Sequence, residues 1–422
     1  MRMDEERVTD LLRRLDDEPA GPPRIDVPGA IREARRRRRN RRVAVAGAAA
    51  FGVLAAAALP AALHGGDGAT PAPAGVSVSP VPPTPKPSPP GPWQGKCEAA
   101  LLPAPDSAAP GSEVTGGDPD GRWLVGHLSP NGSPDHRVLI WDAGRAREVE
   151  IPGTYQELRD VNRAGLAVGS TRRIGGGLEA WAVRDGQPVR LSVIGPGAAR
   201  AVNDAGRIVG YRRAEEVREP WRQDRPVVWD SYEAKAVDLP LPGPGWAGSA
   251  IGIDEDGTVL ANMADLTNGD PGQPRRAVVW RPGATRPEVL PLPRVPGGVA
   301  FQFFPVSLAG GWVTGTAYRE TKPGERGSLK GYRVRIDLRT GQADVLSADV
   351  TTGAVNSRGW IAGVLSSNVP VVVTDTKTVT LPGPDGKTGV DGWVRSISDD
   401  ARVLGGQLYL NNRGWAVRWT CR

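Results

Sequence analysis

The sequence predicts an all-β ectodomain, a seven-bladed β-propeller, behind an N-terminal transmembrane helix and a Pro-rich linker. Three observations support this prediction. An apolar run of 21 residues follows an arginine cluster near the N-terminus. A turn-and-strand unit then recurs seven times at intervals of about 41 to 54 residues, which is the blade length of a propeller. The last unit lacks its outer strand, and a matching fragment lies where the repeat region begins.

Residues 1–42 form an Arg-rich tail that opens with a short amphipathic helix. Val8, Leu11, Leu12 and Leu15 recur at helical spacing, and acidic residues precede them. A helix of about a dozen residues is marginal in water, so we expect it either to bind a cytoplasmic partner or to lie on the membrane surface. The tail resembles those of single-pass bacterial proteins that accompany extracytoplasmic-function sigma factors. This resemblance implies a cytoplasmic regulatory partner.

Residues 43–63 predict the transmembrane helix. At 1.5 Å rise per residue the run spans about 30 Å, the hydrocarbon thickness of a bilayer, and it carries no charged side chain. By the positive-inside bias, the preceding arginines place the N-terminus in the cytoplasm and the C-terminal domain outside. They also suit anionic lipid headgroups. The alternative is a secretory signal cleaved near Ala61, although the run exceeds a typical signal core. The membrane-flanking arginines are Arg35, Arg36, Arg37, Arg38, Arg39, Arg41 and Arg42.

Residues 64–96 predict an extended extracytoplasmic linker. Proline occupies ten of the 22 positions from Pro71 to Pro92, a composition typical of polyproline II.

The charge distribution along the chain argues against a nucleic-acid partner. Residues 1–42 hold 13 basic and 9 acidic residues, whereas the rest of the chain holds 40 basic and 38 acidic residues. The basicity therefore belongs to the membrane flank.

The repeat consists of an Asn-x-x-Gly turn followed by a strand that ends in Gly. A second β-rich run and a third run closing on Leu-Pro or Ile-Pro follow most copies. With the strand before the turn, each unit supplies four short strands. The unit at 305–347 is the least regular, so six blades is the alternative. The copies lie at 118–126, 161–169, 202–210, 254–261, 308–315, 355–363 and 398–405.

The two ends of the ectodomain, residues 97–422, predict how the ring closes. The seventh unit stops at Arg422 without its outer strand, and the segment from Cys97 to Pro103 carries the same Leu-Pro close. We expect this segment to complete the last blade as its antiparallel fourth strand, so that no strand edge stays open. Cys97 and Cys421 then become neighbours, and an even cysteine count in an oxidising compartment predicts a disulfide.

The turn, the strand ending in Gly and the following Ala-x-x-Trp pattern resemble the bacterial extracellular repeat family named for its His-Ala-Phe signature. The resemblance covers about residues 115–420, and Glu179-Ala180-Trp181 stands where the signature is expected. It implies repeats that form a β-propeller outside the cell. It implies no particular ligand.

The sequence predicts no catalytic residue, no metal ligand set and no cofactor. Hydrolase and phosphate-loop motifs are missing, and we expect His127 and His136 to be surface residues of the first blade. Aspartate pairs precede Gly at Asp118 and again at Asp254. These pairs are typical of hairpin turns rather than calcium loops.

Tryptophan provides the remaining candidates. Trp141, Trp229, Trp280 and Trp419 share one repeat position, which predicts packing between blades. The others of interest, at predicted loops or strand starts, are candidate ligand contacts: Trp221, Trp246 and Trp393.

The expected function is a membrane-anchored, non-enzymatic binding or scaffold module for a protein, peptide or glycan ligand, bound where loops converge at the channel mouth. Two alternatives stay open. The chain could be a transmembrane sensor that signals through its cytoplasmic tail, or a cell-surface glycan or peptide hydrolase with a carboxylate pair in the channel.

Overall fold

The computed structural model describes residues 93–105, 110–129, 136–173, 176–213, 224–267, 273–322, 328–346 and 350–422. These residues form thirty β-strands and no helix, arranged as seven four-stranded antiparallel sheets and one two-stranded ribbon. The predicted all-β, seven-bladed propeller is therefore confirmed. The predicted tail, transmembrane segment and arginine cluster, and Trp221, lie outside the described residues. Within the described residues, no helix has the length and apolarity to span a membrane.

The first strand of the described residues, β1 (Cys97–Leu101), belongs to the last blade. Blade 1 consists of β2 (Ser112–Gly117), β3 (Trp123–Leu128), β4 (Arg137–Asp142) and β5 (Arg145–Val149). Blade 2 consists of β6 (Thr154–Val161), β7 (Ala167–Arg172), β8 (Leu178–Arg184) and β9 (Gln187–Arg190). Blade 3 consists of β10 (Gly197–Val202), β11 (Ile208–Arg212), β12 (Arg225–Trp229) and β13 (Val237–Asp238). In each of these three blades the strand order in the sheet follows the chain.

Blade 4 consists of β14 (Trp246–Ile253), β15 (Val259–Asp265), β16 (Arg276–Trp280) and β17 (Glu288–Val289). A ribbon of β18 (Arg294–Val295) and β19 (Gly298–Val299) follows it. Blade 5 consists of β20 (Gln302–Ala309), β21 (Trp312–Glu320), β22 (Leu329–Asp337) and β23 (Ala343–Val345). Blade 6 consists of β24 (Val350–Val355), β25 (Ile361–Leu365), β26 (Pro370–Val373) and β27 (Thr378–Thr380). Blade 7 consists of β28 (Gly392–Ile397), β29 (Val403–Leu410), β30 (Arg413–Cys421) and β1. Because the 305–347 unit forms a complete blade, the count is seven.

The last blade closes as the sequence predicts. β1 pairs antiparallel with β30, and Cys97 lies opposite Cys421 in the register. A disulfide joins the two residues across a sequence separation of 324. Two further backbone bonds extend this pairing, from Arg422 N to Lys96 O and from Gln94 N to Arg422 O. The first and last segments of the propeller are thus held both by strand pairing and by a covalent bond.

The hydrophobic core lies between the blades, because each cluster of buried apolar residues combines two neighbouring blades. Trp141, Trp229 and Trp419 are fully buried in these interfaces, and Trp280 is 5% exposed. The predicted packing of these four side chains between blades is confirmed.

The tryptophan shared by the repeats forms a hydrogen bond to the proline that ends the third run of the preceding blade. The indole Nε1 of Trp280 donates to Pro240 O at 2.9 Å, just after the outer strand of the preceding blade. The Trp419 indole donates to Pro382 O at 2.8 Å, and the Trp141 indole to Pro103 O at 2.7 Å. Since a buried N–H must be paired, the outer strand of one blade supplies the acceptor for the next.

Candidate ligand channel

Every blade has a β-bulge at the same place in its innermost strand. The register between the first and second strands shifts by one residue about three positions before the turn that joins them. An extra residue in one strand is left unpaired and its side chain is re-aimed. The bulged residues, in blade order, are Thr115, Arg159, Arg200, Ile251, Val306, Gly353 and Arg395.

All seven bulged residues line one cavity at the centre of the ring. The cavity has a volume of about 770 Å³, within the range of ligand pockets. Its lining includes strand residues such as Ser249 and turn residues such as Glu255 and Asp399, so it extends along the channel to the face that carries the first-to-second strand turns. We call this face the turn face. The sevenfold bulge thus defines the channel wall.

In six of the seven blades the repeat's final glycine lies against the bulged strand. Ideal Cβ atoms placed at these glycines lie between 1.9 and 2.4 Å from the carbonyl oxygen two residues before the bulged residue. At Gly210, for example, the Cβ lies 2.0 Å from Ala198 O. Blade 4 alone has alanine, Ala261, at this position of the repeat. The glycines are Gly126, Gly169, Gly210, Gly315, Gly363 and Gly406. In blade 7 the site is thus Gly406, one residue after the predicted Gly405.

Three of the bulged residues are arginines, and they come from neighbouring parts of the ring. Arg395 lies in blade 7, Arg159 in blade 2 and Arg200 in blade 3. Enclosure in the channel and the charges of Arg200 and Arg395 lower the pKa of Arg159, although Glu157 opposes this effect. Burial also raises the pKa of Glu113, against the influence of Arg395 and Arg159. These shifts indicate that the three guanidinium groups share one electrostatic environment.

Asp160, next to the bulge of blade 2, has the most perturbed carboxyl group of the channel. Burial raises its pKa to about 7, and the carboxylates of Glu255 and Asp118 add to this effect. Such a pKa suits a general acid or base. However, one Asp160 carboxylate oxygen accepts from Val161 N at 3.0 Å and the other from Val202 N at 2.9 Å. Both carboxylate oxygens of Asp160 therefore accept hydrogen bonds from backbone amides. Because Val202 belongs to the neighbouring blade, one of these bonds joins blades 2 and 3.

Arg163 occupies the turn-face mouth of the channel. From the turn of blade 2, its guanidinium reaches Asp399 of blade 7 at 3.0 Å and Asp120 of blade 1 at 2.8 Å. It also pairs with Asp204 of blade 3 and lies 3.9 Å from Glu255 of blade 4. A side chain that contacts blades two positions away on both sides must lie near the ring axis. The Arg163 ion pairs therefore cross this end of the channel and join the turns of five blades.

The turns between the first and second strands also form hydrogen bonds to the turns of adjacent blades. Asn162 Oδ1 accepts from Ala164 N and Leu166 N of its own turn, while its Nδ2 donates to Asn203 O of the next blade at 2.9 Å. Asp204, the residue after Asn203, forms the second bond between the two turns, because its Oδ1 accepts from Arg163 N at 2.9 Å. The same pair of bonds joins blades 3 and 4 and blades 6 and 7. The repeat's Asn therefore forms the predicted hairpin turn and also an interblade contact that sequence reasoning missed.

The predicted surface position of the two histidines is wrong for His127, which is 8% exposed. The rings of His127 and His136 stack with centroids 4.3 Å apart and an interplanar angle of 3°. Burial, together with the charge of His136, lowers the pKa of His127 to about 4. His127 is thus neutral in the ordinary pH range, and it lies beside Glu113, whose carboxylate is 3.7 Å from His127 Nε2. No group of His, Cys, Asp or Glu suited to a metal occurs among the described residues.

The tryptophans predicted as ligand contacts lie in different places. Trp246 packs against the core cluster between blades 3 and 4. Trp393 lines a second cavity of about 370 Å³, which it shares with Arg395. Its indole donates to Gln407 Oε1 at 3.0 Å. Neither residue lines the central channel, and Trp221 is not among the described residues.

Comparisons with known proteins concern the fold. The chain matches no protein-family model and none of the curated proteins. It is similar to the β-propeller domain of the Trilobed protease from Pyrococcus furiosus, with 11% identity over 74% of this chain and 94% of that one and a TM-score of 0.46. It is similar to an oligogalacturonate lyase in complex with manganese, with 12% identity over 78% and 98% and a TM-score of 0.48. A putative TolB from Agrobacterium tumefaciens shares 12% identity over 76% and 97%, with a TM-score of 0.41.

Proposed function

We propose that this chain is a single-pass, membrane-anchored extracytoplasmic β-propeller that binds a ligand in its central channel without transforming it. The observation that carries the proposal is the bulge shared by all seven blades. A bulge in one strand re-aims one side chain, whereas a bulge in every inner strand builds a continuous wall around a cavity of about 770 Å³. The anchor and the orientation rest on the apolar run at 43–63 and its arginine flank.

The roles of the acidic residues support binding rather than catalysis. Asp160 holds two backbone amides, and Asp254 accepts from Gly310 N at 2.9 Å and from Gly311 N at 2.6 Å in the next blade. Asp204 and Asp399 are engaged with Arg163 and with backbone amides. These carboxylates therefore have structural partners that account for their positions.

Site-specific photo-crosslinking in intact cells tests the proposal. A benzophenone amino acid replaces Val306, which is 42% exposed and lines the channel. The control replaces Ile194, which is 84% exposed and lies outside the channel lining. We expect a specific adduct from position 306, in the membrane fraction, and none at position 194. Adducts at neither position, or equal adducts at both, would contradict a channel-bound ligand.

A further inference from the structure

At the level of the bulges the channel wall has two chemically different halves, and Arg275 of blade 4 also lines the cavity. Blades 7, 1, 2 and 3 contribute three arginines and one threonine at the bulge level, and blades 4, 5 and 6 contribute Ile251, Val306 and Gly353. Phe304 adds apolar surface to the same cavity. A ligand that fits both halves is anionic along one side and apolar along the other.

Among the described residues, only Arg159 of these three arginines forms an ion pair. Arg159 Nη2 lies 2.8 Å from Glu157 Oε2. Among the residues that the structure describes, Arg200 and Arg395 form no ion pair and donate no side-chain hydrogen bond. The guanidinium carbon of Arg200 lies 5.4 Å from the centroid of the Tyr211 ring. Guanidinium groups recognise carboxylates with two parallel hydrogen bonds. Two unpaired guanidinium groups facing one cavity therefore indicate an anionic occupant.

A channel with a cationic side and an apolar side favours an extended peptide as its ligand. Successive side chains of an extended chain point to opposite sides, so one peptide can present carboxylates to one wall and apolar groups to the other. Phe304 is the one aromatic ring among the described lining residues, and its ring already packs edge-to-face on Tyr318 at 5.7 Å. The channel thus offers arginines that can bind carboxylates and an aliphatic surface, but no aromatic surface on which a sugar ring could stack.

We propose that the channel binds an acidic peptide in an extended conformation, with its carboxylates on Arg159, Arg200 and Arg395 and its apolar side chains on Ile251 and Val306. This inference rests on the proposed binding function and names its ligand class.

Fluorescence anisotropy with the purified full chain in mild detergent tests this proposal. The probe is a labelled short peptide of alternating Glu and Val, and its partner probe has Gln in place of Glu. We expect the Glu peptide to bind at least about tenfold more tightly, with an affinity that falls as salt rises. The double variant Arg200→Gln/Arg395→Gln loses about tenfold or more, whereas Arg286→Gln, at an exposed site outside the channel lining, binds as the parent does.

Two further arms keep the result interpretable. Arg200→Lys/Arg395→Lys retains charge without the bidentate fork, and we expect it to recover part of the affinity while all variants keep the parent's melting temperature or exceed it. Equal binding of the Gln peptide, or an unaffected double variant, would overturn the proposal. So would displacement by inorganic phosphate at the peptide's own concentration, since the site would then be a general anion site. If the Val306 crosslink persists while the Glu peptide fails to bind, the ligand class is wrong and the binding function stands.

Discussion

Removal of the Cys97–Cys421 disulfide is expected to cost more stability than any single packing change in the ring. The bond closes a loop with a sequence separation of 324, and the chain-entropy model assigns roughly 5 to 6 kcal/mol to a loop of that length. Cys97→Ser/Cys421→Ser removes the bond and leaves the β1–β30 strand pairing available. Denaturant unfolding of oxidised parent and variant measures the difference in the free energy of unfolding.

A reducing agent provides the matched control. Reduction should bring the parent to the stability of the double variant and leave the double variant itself unchanged. Cysteines occur nowhere else in the chain, so no other bond can account for that response. Equal unfolding midpoints for oxidised parent, reduced parent and variant would show that strand pairing alone closes the ring.

Gly210→Ala is expected to be among the most damaging small substitutions in the propeller. The new Cβ would lie 2.0 Å from Ala198 O, a backbone atom that the bulge at Arg200 places over the second strand. Either the bulge or the strand pairing must give way, and we expect a loss of about 3 kcal/mol in the free energy of unfolding. Thermal or denaturant unfolding measures it, and the affinity for the channel peptide should fall as well because Arg200 moves.

Gly206→Ala in the same hairpin separates this effect from ordinary glycine strain. Gly206 has φ of +79°, and its nearest foreign atom to a new Cβ is Leu166 Cδ2 at 4.0 Å. The cost there is the left-handed backbone alone, about 1 kcal/mol. Similar losses at the two positions would mean that the bulge does not explain the repeat's final glycine.

The architecture could be predicted because its signals are local or repeat at a fixed interval. The Asn-x-x-Gly turn, the shared tryptophan and the Leu-Pro close each recur in the sequence, and the orphan segment at Cys97 has a clear partner at Cys421. Their mutual contacts across blade interfaces could not be predicted, since alternation and spacing describe one blade at a time. The Trp280 to Pro240 bond, for example, joins residues of two units.

The channel site was missed for a related reason. Arg159, Arg200 and Arg395 occur in segments of ordinary polarity, and the register shift that turns them inward depends on strand pairing. One sequence signal was available, because each lies three residues before the Asn or Ser that begins its blade's turn. Trp246, a predicted ligand contact, instead packs in an interblade core.

Arginine-selective labelling of the purified full chain with phenylglyoxal, read by mass spectrometry, tests the channel assignment most directly. Arg200 and Arg395 have no ion-pair partner among the described residues, whereas Arg163 is held by Asp120, Asp204 and Asp399. We expect Arg200 and Arg395 to react at a rate near that of the exposed Arg286, and Arg163 to react much more slowly. If Arg163 reacts as fast as Arg286 while Arg200 and Arg395 stay unmodified, the open, cationic channel and the Arg163 ion pairs at its turn face are both wrong.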